Sequence, residues 1–130
     1  SLHFAPDLTL EELERIIRDL GATEPIDAAW TKDLAAIREN LPAALYRYRA
    51  YTEKTPLAFF DRLYQFIFYR QLDQEEPYGM ELLARYALDS TRFILLQAAR
   101  TGDPLEAARR WSEQIEYDTE NVGLLLSQQT

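Results

Sequence analysis

The stretch that decides the fold runs from Leu57 to Leu72 and reads Leu-Ala-Phe-Phe-Asp-Arg-Leu-Tyr-Gln-Phe-Ile-Phe-Tyr-Arg-Gln-Leu. At about 100° per residue, apolar and aromatic side chains fill most of its circumference, so a helix here needs partners on several sides. Pro56 suits a first helical position, where its missing N–H is not needed, and Thr55 is the expected cap. The sequence therefore predicts a buried central helix over about residues 56–72. Core packing is also expected for the rings of Phe59, Phe60, Phe66 and Phe68.

Helix start and stop signals divide the chain before this stretch. Thr9 and Glu12 form a capping box at the start of a first helix, and Gly21 is expected to end that helix in a left-handed conformation. Pro25 is expected to open the second helix. Pro42 is expected to begin a third, because proline cannot donate a hydrogen bond to the preceding turn.

The chain after this stretch has apolar spacing that fits two more helices. Residues from about 78 to 100 fit one long helix, with the polar run 89–91 as the place where it would bend or break. Gly102 is expected to end it. Asp103 then caps a last helix, whose apolar stripe includes Trp111 and continues to Leu126. Trp30, on the second helix, and Trp111 are expected in the core.

Composition suits one folded domain. The chain has 130 residues, 47% of them hydrophobic, which is enough for a single core. No stretch alternates apolar and polar residues between turn signals as a strand does, and no repeat of fixed length is present. We therefore expect a single all-α domain over residues 1–130, a compact bundle of five or six mostly antiparallel helices around the central helix.

The charge of the chain limits its partners. The net charge is −8, which argues against nucleic acid and membrane surfaces, since both require a basic face. Residues 38–72 nevertheless carry six basic and three acidic side chains, so the middle of an acidic chain is basic. No run approaches the ~20 apolar residues that span a bilayer, and the start lacks a secretory pattern. With no cysteine present, we expect a cytoplasmic protein.

The sequence contains few residues of the types that catalysis commonly uses. His3 is the only histidine, there is no cysteine, and neither a Gly-x-Ser-x-Gly elbow nor a phosphate-binding glycine loop occurs. No catalytic residue, metal site or cofactor is therefore predicted, and an enzyme is the less favoured class. Carboxylates on the last helix would be the ligands of a Mg²⁺ phosphohydrolase, although a solvated acidic face is the simpler interpretation. These carboxylates are Glu113, Glu116 and Glu120.

Alternating tyrosine and arginine after Leu45 suggest a recognition surface. Such a run cannot face one way on a helix, so some of its rings and guanidinium groups should be exposed. Tyrosine and arginine dominate binding hot spots through contact area, cation–π reach and bidentate hydrogen bonds. The alternative is that Tyr48 and Tyr51 cover the core while the arginines pair with acidic segments. The predicted partner-binding residues are Tyr46, Arg47, Arg49, Tyr51, Lys54 and Arg62.

One turn has a likeness to known helical domains. The stretch from Thr101 to Ala108, Thr-Gly-Asp-Pro-Leu-Glu-Ala-Ala, resembles the turn between the last helices of the ligand-sensing domains of bacterial GntR-type regulators. It equally resembles turns in tetratricopeptide and other helical proteins. The sensor domains usually bind metal through an aspartate and several histidines, which this chain does not match, so no site is carried over.

Three functions follow, in order of preference. The first is a non-enzymatic interaction or regulatory domain that docks a protein partner, or a second copy in a homodimer, through the aromatic and basic surface of residues 46–62. The second is a small-molecule-sensing domain of a regulator with a pocket beside the central helix. The third is the carboxylate and Mg²⁺ enzyme.

Overall fold

The computed structural model describes residues 3–74 and 78–127, and every regular element within these ranges is helical. The seven α-helices there are α1 Leu10–Gly21, α2 Ala28–Glu39, α3 Leu41–Lys54, α4 Ala58–Arg70, α5 Met80–Thr101, α6 Pro104–Trp111 and α7 Thr119–Ser127. A 3₁₀ turn, Leu72–Gln74, follows α4, and a π turn, Ser112–Glu116, follows α6. The predicted all-α bundle is confirmed, with more helices than the expected five or six.

The centre of the bundle is α5, which corrects the prediction that residues 56–72 form the central helix. Every residue of α5 from Asp89 to Ala98 is buried. The helix packs against α3, α4, α6 and α7. The helix also continues without a break through residues 89–91, where Ser90 and Thr91 donate their hydroxyl protons to carbonyl oxygens of their own helix at 2.6 and 2.8 Å. Satisfied in this way, small polar side chains remain compatible with a buried helix.

Helix α4 covers one side of α5 and is amphipathic. Its buried residues are Phe60, Tyr64, Ile67 and Phe68. Phe66 and Tyr69 are exposed on another side, so the expectation that Phe66 packs in the core is wrong. The helix begins after Leu57, which makes no side-chain cap. Thr55 and Pro56 therefore lie outside the helix, and the predicted cap and first helical position are wrong.

Several predicted helix ends are confirmed. Thr9 and Glu12 form both hydrogen bonds of the capping box, at 3.1 and 3.0 Å. Pro42 lies in the first turn of α3. Gly102 ends α5 with a φ of +77°, a conformation that favours glycine. Asp103 caps α6 through a bond from the amide of Glu106.

Two predicted ends are wrong. Gly21 is the last residue of α1, and Ala22 follows it with a φ of −87°, so no left-handed residue ends this helix. Pro25 does not open α2. Asp27 does, because its carboxylate accepts a hydrogen bond from the amide of Trp30 at 2.9 Å.

The last predicted helix is divided at the π turn. The amide of Tyr117 bonds the carbonyl of Ser112 at 2.9 Å, a five-residue spacing that is one residue wider than in an α-helix. The three consecutive residues Gln114, Ile115 and Glu116 are all buried here. The turn therefore directs the polar side chains of Gln114 and Glu116 into the protein, together with the apolar side chain of Ile115.

Candidate interaction surface

The six residues predicted to bind a partner are not equally available. Four are exposed and have neither a hydrogen bond nor an ion pair with the part of the chain that the structure describes: Tyr46, Arg47, Lys54 and Arg62. Arg49 donates from Nη2 to the carbonyl oxygen of Leu8 at 3.0 Å. Tyr51 is half-buried, with its ring edge-on to that of Phe60 at 6.5 Å. The last two side chains therefore also support the fold.

The segment before α1 explains why Arg49 is engaged. The hydroxyl of Tyr48 donates to the carbonyl of Pro6 at 2.5 Å, and Arg92 of α5 donates to the carbonyl of Asp7 at 2.7 Å. The amide of Phe4 donates to Asp61 of α4 at 2.7 Å. Hydrogen bonds from three helices thus hold this segment against the bundle. The predicted pairing of arginines with acidic segments is replaced here by donation to backbone carbonyls.

A shallow groove brings two of the predicted residues together. It lies between the start of α1 and α3 and has a volume of about 390 Å³. Tyr46, which is 76% exposed, and Arg49 line it, together with the partly exposed Leu10. The other four predicted residues do not line this groove.

A second exposed face contains more aromatic surface. Arg62, Phe66, Tyr69 and Arg70 recur along α4 at the three- and four-residue spacings that place side chains on one side of a helix. Phe66 is 57% exposed and Tyr69 59%. Tyr117, which follows the π turn, is 70% exposed. We call these five residues the α4 face.

Arg70 joins the two parts of the α4 face. Its guanidinium carbon lies 5.9 Å from the centre of the Phe66 ring and 6.0 Å from that of Tyr117, which is within cation–π range. Its Nε lies 3.8 Å from Oε2 of Glu116. One cation thus contacts rings from two separate elements, with a carboxylate beside it.

Glu116 is the buried acid beside the α4 face. Its side chain is 3% exposed, and Oε2 accepts a hydrogen bond from Gln71 at 2.9 Å. Burial raises the pKa of Glu116, against the opposing effects of the Gln71 bond and the Arg70 charge. Oε1 has no partner among residues 3–74 and 78–127. Burial also raises the pKa of Tyr86 on α5, with the charge of Glu116 as a further cause.

A second group of charges, of which Asp89 and Arg92 are buried, joins α1 to α5. Arg92 lies 3.1 Å from Glu12 and 3.4 Å from Asp89, and Arg15 lies 3.0 Å from the other oxygen of Asp89. Burial raises the pKa of Asp89, although the nearby arginines act in the opposite direction. Each of these charged groups has a charged partner, so the group holds two helices together.

The interior cavities are small. The cavity between Arg15, Tyr86 and Trp111 holds about 20 Å³, roughly the space of one water molecule. The cleft between Trp30 and Phe93 holds about 180 Å³, less than the roughly 300 Å³ at which small-molecule sites begin. Trp30 and Trp111 are both buried, as the sequence predicted. Surface clefts of about 450 and 380 Å³ exceed this size but are open to solvent, and the small-molecule-sensing hypothesis stays a prediction.

The three carboxylates considered for Mg²⁺ have different surroundings. Glu113 pairs with Arg109 at 2.6 Å, Glu116 is buried beside Gln71, and Glu120 is exposed. Among the described residues, no three His, Asp or Glu side chains are grouped as a metal site.

Comparisons with known proteins add no family. No protein-family model, no curated protein and no solved structure matches this chain.

Over residues 3–74 and 78–127, none of the helices combines the length and the apolar character that a membrane crossing requires.

The sequence interpretation missed three of the five residues of the α4 face and the role of a fourth. Phe66 was assigned to the core, while Tyr69, Arg70 and Tyr117 were not assigned to any surface. A signal was present, because Arg62 and Arg70 fall on the same side of the helix as Phe66 and Tyr69. The contribution of Tyr117 had no such signal, since it depends on the π turn that places it beside Arg70.

Proposed function

We propose that this chain is a non-enzymatic protein-interaction domain that docks a partner protein through the α4 face. The observation that carries the proposal is the position of Arg70, held beside the buried Glu116 and across the exposed rings of Phe66 and Tyr117. The cytoplasm is the proposed compartment, with which the cysteine-free sequence is compatible.

The chemistry of the α4 face is that of a binding hot spot. Aromatic rings supply large contact areas with few rotatable bonds, and exposed rings lose water favourably when a partner covers them. Arginine adds bidentate hydrogen bonds and cation–π contacts. Arg70 is also pre-oriented, because Glu116 and two rings restrict its side chain before any partner arrives. A pre-oriented side chain loses less conformational entropy on binding than a free one.

The groove beside Tyr46 is the weaker surface for the same function. Its arginine, Arg49, already donates to Leu8, whereas Arg62 of the α4 face has no partner among the described residues. The groove also exposes one aromatic ring, whereas the α4 face exposes three.

Photo-cross-linking in native cells tests the proposal. p-Benzoylphenylalanine in place of Phe66, Tyr69 or Tyr117 conserves an aromatic side chain and should give an adduct with the same partner protein at all three positions. The same residue in place of Tyr46 or the exposed Leu105 is the control and should not give that adduct. Adducts from Tyr46 alone would move the surface to α3, and no adduct from the three α4-face positions would refute the proposal.

A further inference from the structure

We infer that the α4 face takes an acidic segment of a partner protein, a helix in which two carboxylates flank a pair of apolar side chains. This inference rests on the proposed function and adds the chemistry of the partner to it. It follows from the charge, the area and the spacing of the residues on the face.

The charge of the α4 face is positive. Arg62 has no ion pair within the described ranges, and the side chain of Arg70 is 44% exposed. The one acid of α4, Asp61, accepts a hydrogen bond from the amide of Phe4. Glu116 is too deeply buried to meet a partner. An incoming carboxylate would therefore find two accessible guanidinium groups, and an incoming cation would be repelled.

Two acidic residues near Tyr117 are also engaged within their own helices. Asp118 accepts hydrogen bonds from the amides of Glu120 and Asn121 at 3.0 and 3.2 Å and so caps α7. Glu113 pairs with Arg109. These two carboxylates are held by their own helices and do not neutralise the arginines of the α4 face.

The apolar area of the α4 face suits a short segment. An aromatic side chain has roughly 150–250 Å² of surface, so three rings that are each a little over half exposed offer about 350 Å². A stable interface between two folded proteins buries about 800 Å² on each partner. One helix laid along α4 would cover the rings without needing that larger area.

A second copy of this chain fits the α4 face poorly. A two-fold axis crossing α4 near Phe66 would place Arg62 of each copy against Arg70 of the other, because these arginines lie on opposite sides of Phe66 in the sequence. Four cations would then be brought together in one interface, which disfavours this pairing.

The spacing of the arginines sets the spacing of the acids. Arg62 and Arg70 are eight residues apart, which is about 12 Å along a helix. A partner helix with carboxylates seven residues apart reaches both, and apolar side chains three and four residues after the first carboxylate then face Phe66 and Tyr69.

Two fluorescein-labelled helical peptides, which otherwise consist of alanine and glutamine, test this inference by fluorescence anisotropy with the full chain. The first has Glu at two positions seven apart and Leu three and four residues after the first Glu, and the second has Lys in place of both Glu. The Glu peptide should bind the unmodified protein, and the Lys peptide at least about tenfold more weakly. Phe66→Ala and Arg62→Glu should each weaken the Glu peptide about tenfold or more, while Arg62→Glu strengthens the Lys peptide. Arg47→Glu makes the same charge change on the exposed side of α3 and should leave both affinities unchanged.

Each other outcome overturns a defined statement. Equal binding of the two peptides, or no effect of Arg62→Glu, refutes the acidic partner. Failure of both peptides together with cross-linked adducts from Phe66 and Tyr69 refutes the partner chemistry and leaves the proposed function standing. Failure of both peptides without adducts refutes both statements. Adducts from Phe66 that join two copies of this chain would identify a homodimer and also refute the acidic partner.

Discussion

Replacing Gln114 with leucine should loosen the attachment of the loop before α2 to the π turn. The side-chain amide of Gln114 makes three hydrogen bonds across this junction. It donates to the hydroxyl of Thr23 at 3.2 Å and to the carbonyl of Glu24 at 2.7 Å, and it accepts from the amide of Ile26 at 2.6 Å. Leucine has a similar size and makes none of these bonds.

The expected loss follows from these three bonds. Each contributes about 1 kcal/mol net, which gives an upper value of about 3 kcal/mol. Glu24 keeps a bond from Asn121, and Thr23 still donates to the carbonyl of Leu20, so the amide of Ile26 is the group that loses its partner. We therefore expect a loss of about 2–3 kcal/mol in the free energy of unfolding. At about 2.1 cal/mol/K per residue, 130 residues correspond to a decrease in Tm of roughly 7–11 °C.

Urea unfolding followed by circular dichroism measures this loss, and amide hydrogen exchange locates it. The amide of Ile26 should exchange faster in Gln114→Leu, while that of Glu24 keeps its bond to Asn121. Gln97→Leu is the control, because Gln97 is equally a buried helix residue but bonds Asp33 and Arg100 instead of the loop. A loss below about 1 kcal/mol for Gln114→Leu, with unchanged protection of Ile26, would show that the loop is held by other contacts.

Three further results are expected. Asp27→Ala should lower the urea midpoint, and Asp27→Asn should lower it less, since asparagine still caps α2. The pKa of Asp27, lowered to about 2 mainly by its hydrogen bond with Arg110, should be seen by NMR titration, and a normal value would exclude that pair. Glu116→Gln should raise the urea midpoint at pH 7 relative to the unmodified protein. The folded-state pKa of Glu116 is raised, so its ionisation costs stability as the pH rises. The difference between the two urea midpoints should therefore shrink as the pH falls towards 4.5. A larger difference at pH 4.5 would contradict this prediction. Gly102→Ala should cost about 1 kcal/mol through its positive φ alone, since a methyl group there meets nothing within 4 Å, and an unchanged midpoint would refute this strain.

Local signals in the sequence predicted the fold class and several helix boundaries. The capping box at Thr9 and the glycine stop at Gly102 were readable because they involve neighbouring residues and standard backbone geometry. The identity of the central helix could not be predicted from the sequence, because burial depends on which helices pack together. The stretch around Phe66 is apolar on most sides yet lies at the periphery, whereas the helix with polar Ser90 and Thr91 is in the centre.

The predicted surface and the α4 face share one residue, Arg62. An aromatic and basic surface was expected, and the structure exposes Tyr46, Arg47, Lys54 and Arg62 from the predicted set. Hydrogen bonds to the segment before α1 engage Arg49, and no sequence pattern indicates such donation to a distant carbonyl. Tyr117 reaches Arg70 from a residue 47 positions away, which is a tertiary contact that periodicity does not contain.

The π turn has a consequence for which changes in chain length the protein tolerates. From this turn, Gln114 reaches the loop before α2 and Glu116 reaches Arg70 at the end of α4, on separate parts of the molecule. Deleting Ser112 or Glu113 would restore regular winding and rotate all later side chains, including Gln114 and Glu116, by about 100°. Both connections would then fail together, even if every side-chain type were retained. The number of residues in this turn is therefore as strict a requirement as their identity.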